Sequence, residues 1–421
     1  MKMKRFACAA VAATMAVSAT ACGGSDSAST TAAASDTTAA ESGETEAASA
    51  ADGETTAAAA DNTAAKDGTF VIGGSGPLTG SAAIYGNAVK NGAQIAADEI
   101  NKNGGINGYQ VKWIFEDDEA DPEKAVNAYN TLKDNGMQMF VGTTTSGACM
   151  SVIAETENDN MFQITPSGTT ADITAPANVF RMCFSDPEQG TKSAQFIGEH
   201  KLATKIGIIY DNSDTYSSGI YENFAKEAPN QGLEVVGAES FNSESKTDFK
   251  TQLQKLKDAG AELVFLPFYY TEASLVLKQA NEMGWAPKFF GCDGMDGILS
   301  LPDFDTSLAE GLMLLTPFSA DAQDDLTKNF VSTYESQFGD TPNQFAADAY
   351  DCIYVIKAAA EKAGLTPDMD MSAMTDALTP QMTQIQLDGL TGQGIQFTEE
   401  GEPNKAPKAV EIVDGAYKSL E

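Results

Sequence analysis

Apolar residues follow two alternating patterns along this chain from about residue 70 onward. Short apolar runs predict buried strands at 70–74, 111–116, 137–142, 161–164, 205–210, 233–239, 263–267 and 288–291. Between them, apolar positions recur every three or four residues and predict amphipathic helices, among them 81–101, 187–200, 216–231, 247–259 and 271–283. Repeated strand–helix–strand units predict an α/β fold with doubly wound parallel sheets, covered by helices on both faces.

The helix after the second strand has a particularly clear start. Asp121 can cap the helix N-terminus and Pro122 suits its first turn, where a missing N–H costs nothing. Tyr129 and Leu132 then lie on one face and are expected to point into the core.

The patterned region, residues 67–421, which we call the body, is too long for one compact core and predicts two lobes. Ligands of such folds bind at the carboxyl ends of strands. Two loops in that position, 143–148 and 165–170, are rich in hydroxyl groups and precede predicted helices or turns. Hydroxyls together with free N–H groups at a helix N-terminus suit a small carboxylate. Because Ser and Thr also favour ordinary caps and turns, that simpler interpretation stays open.

The first 21 residues predict a signal peptide. Three basic residues among the first five precede an apolar stretch, residues 6–17, that is too short to span a bilayer. Ala19, Thr20 and Ala21 then lead to Cys22, and the stretch resembles the lipobox of bacterial lipoproteins, in which the cysteine is lipidated. Since Ala19 stands where that motif usually has Leu, an ordinary signal-peptidase site is the alternative.

Residues 22–67 predict a lipidated Cys22 followed by a disordered acidic linker. Between residues 23 and 66 there is no aromatic residue and no Val, Ile or Leu, so the segment cannot build a core. We expect a protein that is exported across the cytoplasmic membrane and held on its outer face by a lipid, extracellular or periplasmic, with a mobile folded body.

Composition excludes several other functions. The net charge of −34 would repel nucleic acid and anionic lipid, so no nucleic-acid partner is expected. His200 is the single histidine, and the cysteines of the body, 149, 183, 292 and 352, lack the Cys-x-x-Cys spacing of metal sites. The glycines at 74, 76 and 80 have the wrong spacing for a dinucleotide loop. We therefore expect no metal, no cofactor and no catalytic residues.

Motifs along the whole body resemble those of the type I solute-binding proteins. The similarity is strongest to the leucine/isoleucine/valine-binding proteins of ABC importers. The matching segments are 76–86, 91–93, 100–108, 117–122, 144–146, 164–166, 210–219 and 291–294. This resemblance implies two doubly wound lobes that are joined by a three-crossing hinge and close on a ligand, an arrangement called a Venus flytrap. The three crossings are expected near residues 184–186, 315–318 and 388–392. It places the first lobe at 68–185 and 317–388, and the second at 186–316 and 389–421.

The same resemblance implies a binding site. Ser146 and the Gly168, Thr169 and Thr170 loop would hold the α-carboxylate of an amino acid, and Thr169 with the backbone near Gly168 would help receive its ammonium. Asp293 stands where branched-chain binders have an acidic partner for the ammonium, although those proteins have Glu there. The side-chain pocket would be lined by aromatic residues, namely Tyr85, Tyr216, either Tyr269 or Tyr270, and Phe345.

The implied function is capture of a small amino acid, branched-chain or similarly apolar, and delivery to ABC permease subunits. We expect a monomer that makes and breaks no bond. Alternatives are a sensor ectodomain that presents its ligand to a signalling partner, a binder of small amides or aromatic acids, and a secreted hydrolase. The last lacks any recognisable group of nucleophile, base and orienting acid in the sequence.

Overall fold

Two β-sheets organise the part of the chain that the computed structural model describes, residues 66–420. The predicted signal peptide, Cys22 and almost all of the predicted linker lie outside the described residues. The first sheet is fully parallel and has the order β2-β1-β3-β4-β5. Its strands are β1 (Thr69–Gly76), β2 (Gln110–Asp117), β3 (Met139–Val141), β4 (Gln163–Thr165) and β5 (Val179–Arg181). The helices between them are α1 (Ala83–Lys102), α2 (Pro122–Asp134) and α3 (Ser146–Asp159).

The second sheet has seven strands in the order β12-β11-β10-β9-β8-β6-β7. The strands are β6 (Lys205–Asp211), β7 (Glu234–Phe241), β8 (Leu263–Leu266), β9 (Lys288–Gly291), β10 (Met313–Thr316), β11 (Lys408–Val413) and β12 (Ala416–Ser419). The associated helices are α4 (Asp186–Glu199), α5 (Thr215–Glu227), α6 (Lys250–Asp258) and α7 (Tyr270–Glu282).

The second sheet departs from the expected all-parallel arrangement at one edge. Strand β11 pairs antiparallel with both β10 and β12, whereas the other pairs are parallel. Asp414 and Gly415 connect β11 to β12, and both have positive φ, 53° and 72°. Such a two-residue turn matches the twist of a hairpin, which explains why the chain reverses there.

Three further helices, α8 (Asp325–Phe338), α9 (Gln344–Ala363) and α10 (Met371–Met382), lie on the side of the first sheet, where α9 contacts α1 and β3, α8 contacts α1, and α10 contacts α9. Helix α9 lies directly against α1, where a Cβ on Gly92 would come 2.0 Å from the carbonyl oxygen of Ala346. Only glycine permits that approach. We call β1–β5 with α1–α3 and α8–α10 the first lobe, and β6–β12 with α4–α7 the second lobe.

Residues 389–405 contact the first lobe. The carboxylate of Asp351 on α9 accepts hydrogen bonds from the amides of Leu390 and Thr391, both at 2.9 Å. Lys405 forms a buried ion pair with Asp348, also on α9. These contacts favour a position for the third hinge crossing closer to residue 406 than to the expected 388–392. The lobe boundaries themselves stay a prediction.

Most predicted elements are present with small shifts of their ends. Asp121 caps α2 as predicted, accepting from the amides of Glu123 at 2.9 Å and Lys124 at 3.0 Å. The helix predicted over 216–231 ends at Glu227, and a 3₁₀ turn follows, because Pro229 cannot continue the hydrogen-bonding of an α-helix. His200 is exposed at the C-terminus of α4.

The four cysteines of the body are free and buried. They act as small core residues, as expected from their spacing. Within residues 66–420 there is no helix with the length and apolar character needed to cross a membrane.

Candidate functional site

The carboxyl ends of strands in the two sheets meet at a small buried cavity. Its volume of about 10 Å³ is enough for about one water molecule. The first lobe contributes side chains that follow β1, β3 and β4 or begin α9, and the second lobe contributes side chains that follow β6, β8 and β9. The lining residues are Tyr85, Thr144, Thr145, Ser146, Ser167, Tyr216, Tyr269, Asp293, Gly294 and Phe345.

Most of the side chains expected at a ligand site line this cavity. They are Tyr85, Ser146, Tyr216, Tyr269, Asp293 and Phe345. Four lining residues were not singled out from the sequence: Thr144, Thr145, Ser167 and Gly294. Thr144, Thr145 and Ser167 lie in the two hydroxyl-rich loops, so the position of these loops after strands was the sequence signal that could have identified these three residues.

The remaining expected residues lie just behind the lining. Thr169 supports Ser146, because its amide donates to Ser146 Oγ at 3.0 Å and the two hydroxyls are 3.1 Å apart. The carbonyl of Gly168 accepts from Arg181 Nη1 at 3.2 Å. Thr170 places its hydroxyl 3.3 Å from that of Thr215 in the second lobe, near the surface.

The start of α7 determines which of Tyr269 and Tyr270 lines the cavity. Tyr269 is the N-cap residue of α7 and faces the cavity, whereas Tyr270 begins the helix and packs behind Tyr85. The rings of Tyr85 and Tyr270 have centroids 4.8 Å apart, and the Tyr270 hydroxyl accepts from the amide of Ile84 at 3.2 Å. Tyr270 therefore orients a cavity residue without lining the cavity.

Aromatic rings form the wall of the cavity across both lobes. The ring centroid of Tyr85 lies 4.2 Å from that of Phe345 and 5.5 Å from that of Tyr269. The ring of Tyr216 stacks on that of Tyr269, with their centroids 5.0 Å apart. The Tyr85 hydroxyl also donates to the carbonyl oxygen of Gly294. Since Tyr85 is on α1 and Gly294 follows β9, this hydrogen bond connects the two lobes at the cavity.

Asp293 is the buried acid of the cavity. Only 3% of it is exposed, and its Oδ1 accepts from the Tyr216 hydroxyl at 2.7 Å and from the amide of Gly294 at 2.8 Å. No Lys or Arg is among the lining residues. Burial therefore raises the pKa of Asp293 to about 7, against the lowering effect of hydrogen bonds from Tyr216 and Gln189. A cationic group placed beside it would restore the ionised form.

A second buried acid, Asp186, lies next to the hydroxyl loops and was assigned no site role from the sequence. It begins α4, its amide donates to the carbonyl of Thr169 at 2.8 Å, and only 2% of it is exposed. Within the described part of the chain its Oδ1 has no hydrogen-bond partner. Burial raises the pKa of Asp186 well above its usual range.

The raised pKa of Asp293 predicts that the ligand-free protein loses stability as pH rises. The folded state keeps this proton up to about pH 7, whereas the unfolded chain releases it near pH 3.8, so the stabilisation is lost between those values. Between pH 5 and pH 7 we expect the wild type to lose about 2 kcal/mol of unfolding free energy more than D293N, at about 1.4 kcal/mol per pH unit. Urea unfolding at several pH values measures this difference, and parallel profiles for the two proteins would contradict it.

Comparisons with known proteins agree with this architecture. A family model described as periplasmic binding protein matches residues 69–416. The chain is 31% identical over 312 residues to the leucine-, isoleucine-, valine-, threonine- and alanine-binding protein of Pseudomonas aeruginosa, covering 74% of this chain and 82% of that protein. It is also 31% identical over 300 residues to Leu/Ile/Val-binding protein homolog 3 of Brucella melitensis, covering 70% of this chain and 80% of the relative.

Solved structures give the same result. The branched-chain amino acid transporter substrate binding protein LivJ of Streptococcus pneumoniae, in complex with isoleucine, is similar with a TM-score of 0.75 and 28% identity. The similarity covers 83% of this chain and 98% of that one. A solute binding protein from R. palustris in complex with benzoate has a TM-score of 0.75 at 19% identity, over 84% of this chain and 96% of that one, and supports the fold alone. With two lobes built on largely parallel sheets and a match that spans nearly all of the body, the chain belongs to the periplasmic binding protein family and has the type I fold of the branched-chain amino acid binding proteins of ABC transporters.

Proposed function

We propose that this protein is the extracytoplasmic substrate-binding component of an ABC importer. It captures a small amino acid between its lobes and delivers it to the permease subunits. One observation carries the proposal: hydroxyl and N–H donors of the first lobe and the acid Asp293 of the second lobe line the same cavity. Donors on one side and an acid on the other complement the carboxylate and ammonium of an amino acid.

In this proposal each end of the ligand is held by a different lobe. Ser146, supported by Thr169 and the first turn of α3, binds the carboxylate, since the N-terminus of a helix favours negative charge. Asp293, oriented by Tyr216, binds the ammonium. The faces of Tyr85, Tyr269 and Phe345 provide apolar surface for a side chain that is branched or similarly apolar.

Closure of the lobes is the proposed mechanism. The ligand favours the closed state because both lobes contact it only in that state. Direct contacts between lobes also support closure, including a 2.7 Å hydrogen bond from the Thr271 hydroxyl to the carbonyl of Ser81. The protein acts by binding and release, without catalysis and without a cofactor.

The location follows from the family and from the N-terminal sequence. The family places the body outside the cytoplasmic membrane. We further propose that residues 1–21 are removed, that Cys22 is lipidated, and that the acidic linker lets a monomeric body reach the permease.

Lipidation has its own prediction. In the bacterial host, wild-type protein should incorporate labelled palmitate and fractionate with membranes, because acylated Cys22 would anchor it. The variant C22S should lose both properties. Label that persists in C22S, or wild-type protein found only in the soluble fraction, would contradict the anchor.

The ligand is tested by calorimetric titration of the purified body with the twenty amino acids. We expect micromolar or tighter binding of at least one small apolar amino acid, because both charged ends meet complementary groups. Mass spectrometry of any ligand released on denaturation identifies what the protein carries after purification. Failure of every α-amino acid to bind would refute the proposed ligand class.

A further inference from the structure

Thr145 occupies a helix N-cap without performing its usual task. It precedes α3 with the extended backbone of an N-cap residue, φ −96° and ψ 148°. A Thr in this position normally accepts a hydrogen bond from an amide in the first turn, yet Thr145 makes no such bond. Only 5% of the residue is exposed. Among residues 66–420 the buried Oγ1 has no hydrogen-bond partner at all.

The other first-lobe hydroxyls that line the cavity each have a hydrogen-bond partner. Thr144 Oγ1 donates to the carbonyl of Ser75 at 3.3 Å, and Ser167 Oγ donates to the carbonyl of Thr144 at 2.6 Å. Ser146 Oγ accepts from the amide of Thr169. Thr145 therefore differs from its neighbours within the described residues, because its hydroxyl can turn toward an incoming group without breaking a bond.

Buried hydroxyl groups nearly always have a partner, since leaving one unpaired costs the hydrogen bonds it would make with water. An unpaired hydroxyl that lines a cavity is therefore expected to bind whatever enters the cavity. Valine has nearly the same shape as threonine and would avoid this cost, so the folded body does not itself require the hydroxyl.

The surroundings indicate an oxygen acceptor as the partner. Thr145 lies at the N-terminus of α3, a 14-residue helix whose first amides and dipole favour negative charge. Because no basic side chain lines the cavity, an anion there has to be held by neutral donors such as hydroxyl and N–H groups. The acid Asp293 is contributed by the other lobe, so the cationic end of a ligand is drawn away from Thr145.

We propose that Thr145 binds the ligand directly, its Oγ1 donating a hydrogen bond to the carboxylate as a second hydroxyl beside Ser146. The carboxylate then has two oxygens with separate donors, one at Ser146 and one at Thr145. This assignment rests on the proposed function for the identity of the ligand as an amino acid, and it adds a residue that determines which ligands bind.

The test compares the ligand affinities of Thr145→Val and Thr145→Ser in the full-length protein. T145V removes the hydroxyl while keeping the shape, and we expect about tenfold weaker binding in calorimetric titrations with isoleucine, valine and alanine. T145S keeps the hydroxyl and should bind within threefold of wild type. The melting temperature of ligand-free T145V should equal or exceed that of wild type, because the lost hydroxyl has no partner in the folded state.

A matched control lies on the same helix. Thr156 is buried and its hydroxyl bonds the carbonyl of Ile153 at 3.0 Å and Gln163 Oε1 at 2.7 Å, away from the cavity. T156V should therefore lower the melting temperature and leave affinity unchanged. Unchanged affinity in T145V, or a loss of melting temperature as large as in T156V, would overturn the assignment.

The choice of ligands separates this proposal from the proposed function. An equal loss for isoleucine, valine and alanine supports a contact with the shared carboxylate, and a loss confined to one of them overturns it. If wild type binds benzoate but no amino acid, the proposed function fails, and a tenfold loss of benzoate affinity in T145V still supports the contact. Wild-type protein that binds neither class of carboxylate overturns both.

Discussion

Replacing Asp293 by Asn weakens amino-acid binding several hundredfold, a loss of about 3 to 4 kcal/mol. The substitution preserves size and leaves an oxygen that can accept from the Tyr216 hydroxyl, 2.7 Å away in the wild type. What disappears is the one charge among the lining residues that can neutralise an ammonium. Calorimetric titration of D293N with the amino acid that wild type binds best measures the effect.

The variant D118N is the matched control. Asp118 is also fully buried, and burial raises its pKa to about 6, but it does not line the cavity. We expect its affinity to stay within threefold of wild type. If D293N also binds within threefold, Asp293 does not pair with the ammonium.

The pH dependence of binding follows from the same group. Binding of an ammonium requires ionised Asp293, so below its pKa of about 7 the wild-type affinity should fall by up to tenfold per pH unit. D293N should lack this component. Identical profiles for wild type and D293N between pH 5.5 and 8 would assign the dependence to another group.

Replacing Lys405 by Met lowers the free energy of unfolding by about 3 to 5 kcal/mol. Lys405 is 7% exposed and pairs with Asp348, which is 1% exposed. Its Nζ also donates to the carbonyl of Met182 at 2.8 Å. Burial already raises the pKa of Asp348 to about 6 although Lys405 opposes the shift, so removing the cation leaves a buried carboxylate without a counter-ion.

Urea unfolding of ligand-free protein at pH 7.5 measures this loss. The control K250M breaks the exposed pair of Lys250 with Glu282, in which the two side chains are 55% and 46% exposed, and should cost less than about 0.5 kcal/mol. The double variant K405M/D348N should recover part of the loss. A K405M protein as stable as K250M would mean that water reaches the pair.

Local signals made much of the fold predictable. Asp121 and Pro122 fix the start of α2 through contacts within a few residues, so the sequence alone specifies that boundary. The hairpin of β11 and β12 has an equally local signal in Asp414 and Gly415, yet it was missed. The strand β10 was missed for another reason: its end lies inside residues 315–318, which were interpreted as a hinge crossing.

The site was predictable where it follows from topology. Loops that follow parallel strands converge, so the hydroxyl loops that contain Ser146 and Thr169 could be assigned to one edge of the first sheet. Asp293 follows a strand of the other sheet, and only the resemblance to the branched-chain binders implied that it belongs to the same site. The difference between Tyr269 and Tyr270 could not be predicted, because it depends on the residue at which α7 begins. Thr145 was missed since its unpaired hydroxyl becomes apparent only when every neighbouring hydrogen bond is known.

The aromatic wall described above also offers an optical consequence. Tyr85, Tyr216 and Tyr269 are contributed by both lobes, and the rings of Tyr85 and Tyr216 both pack against Tyr269. The two tryptophans, Trp113 and Trp285, do not line the cavity. Opening would hydrate the phenols and leave the indoles largely unaffected, so near-ultraviolet tyrosine difference spectra would report closure in unlabelled protein. Lobe movement and ligand binding could then be followed separately in time.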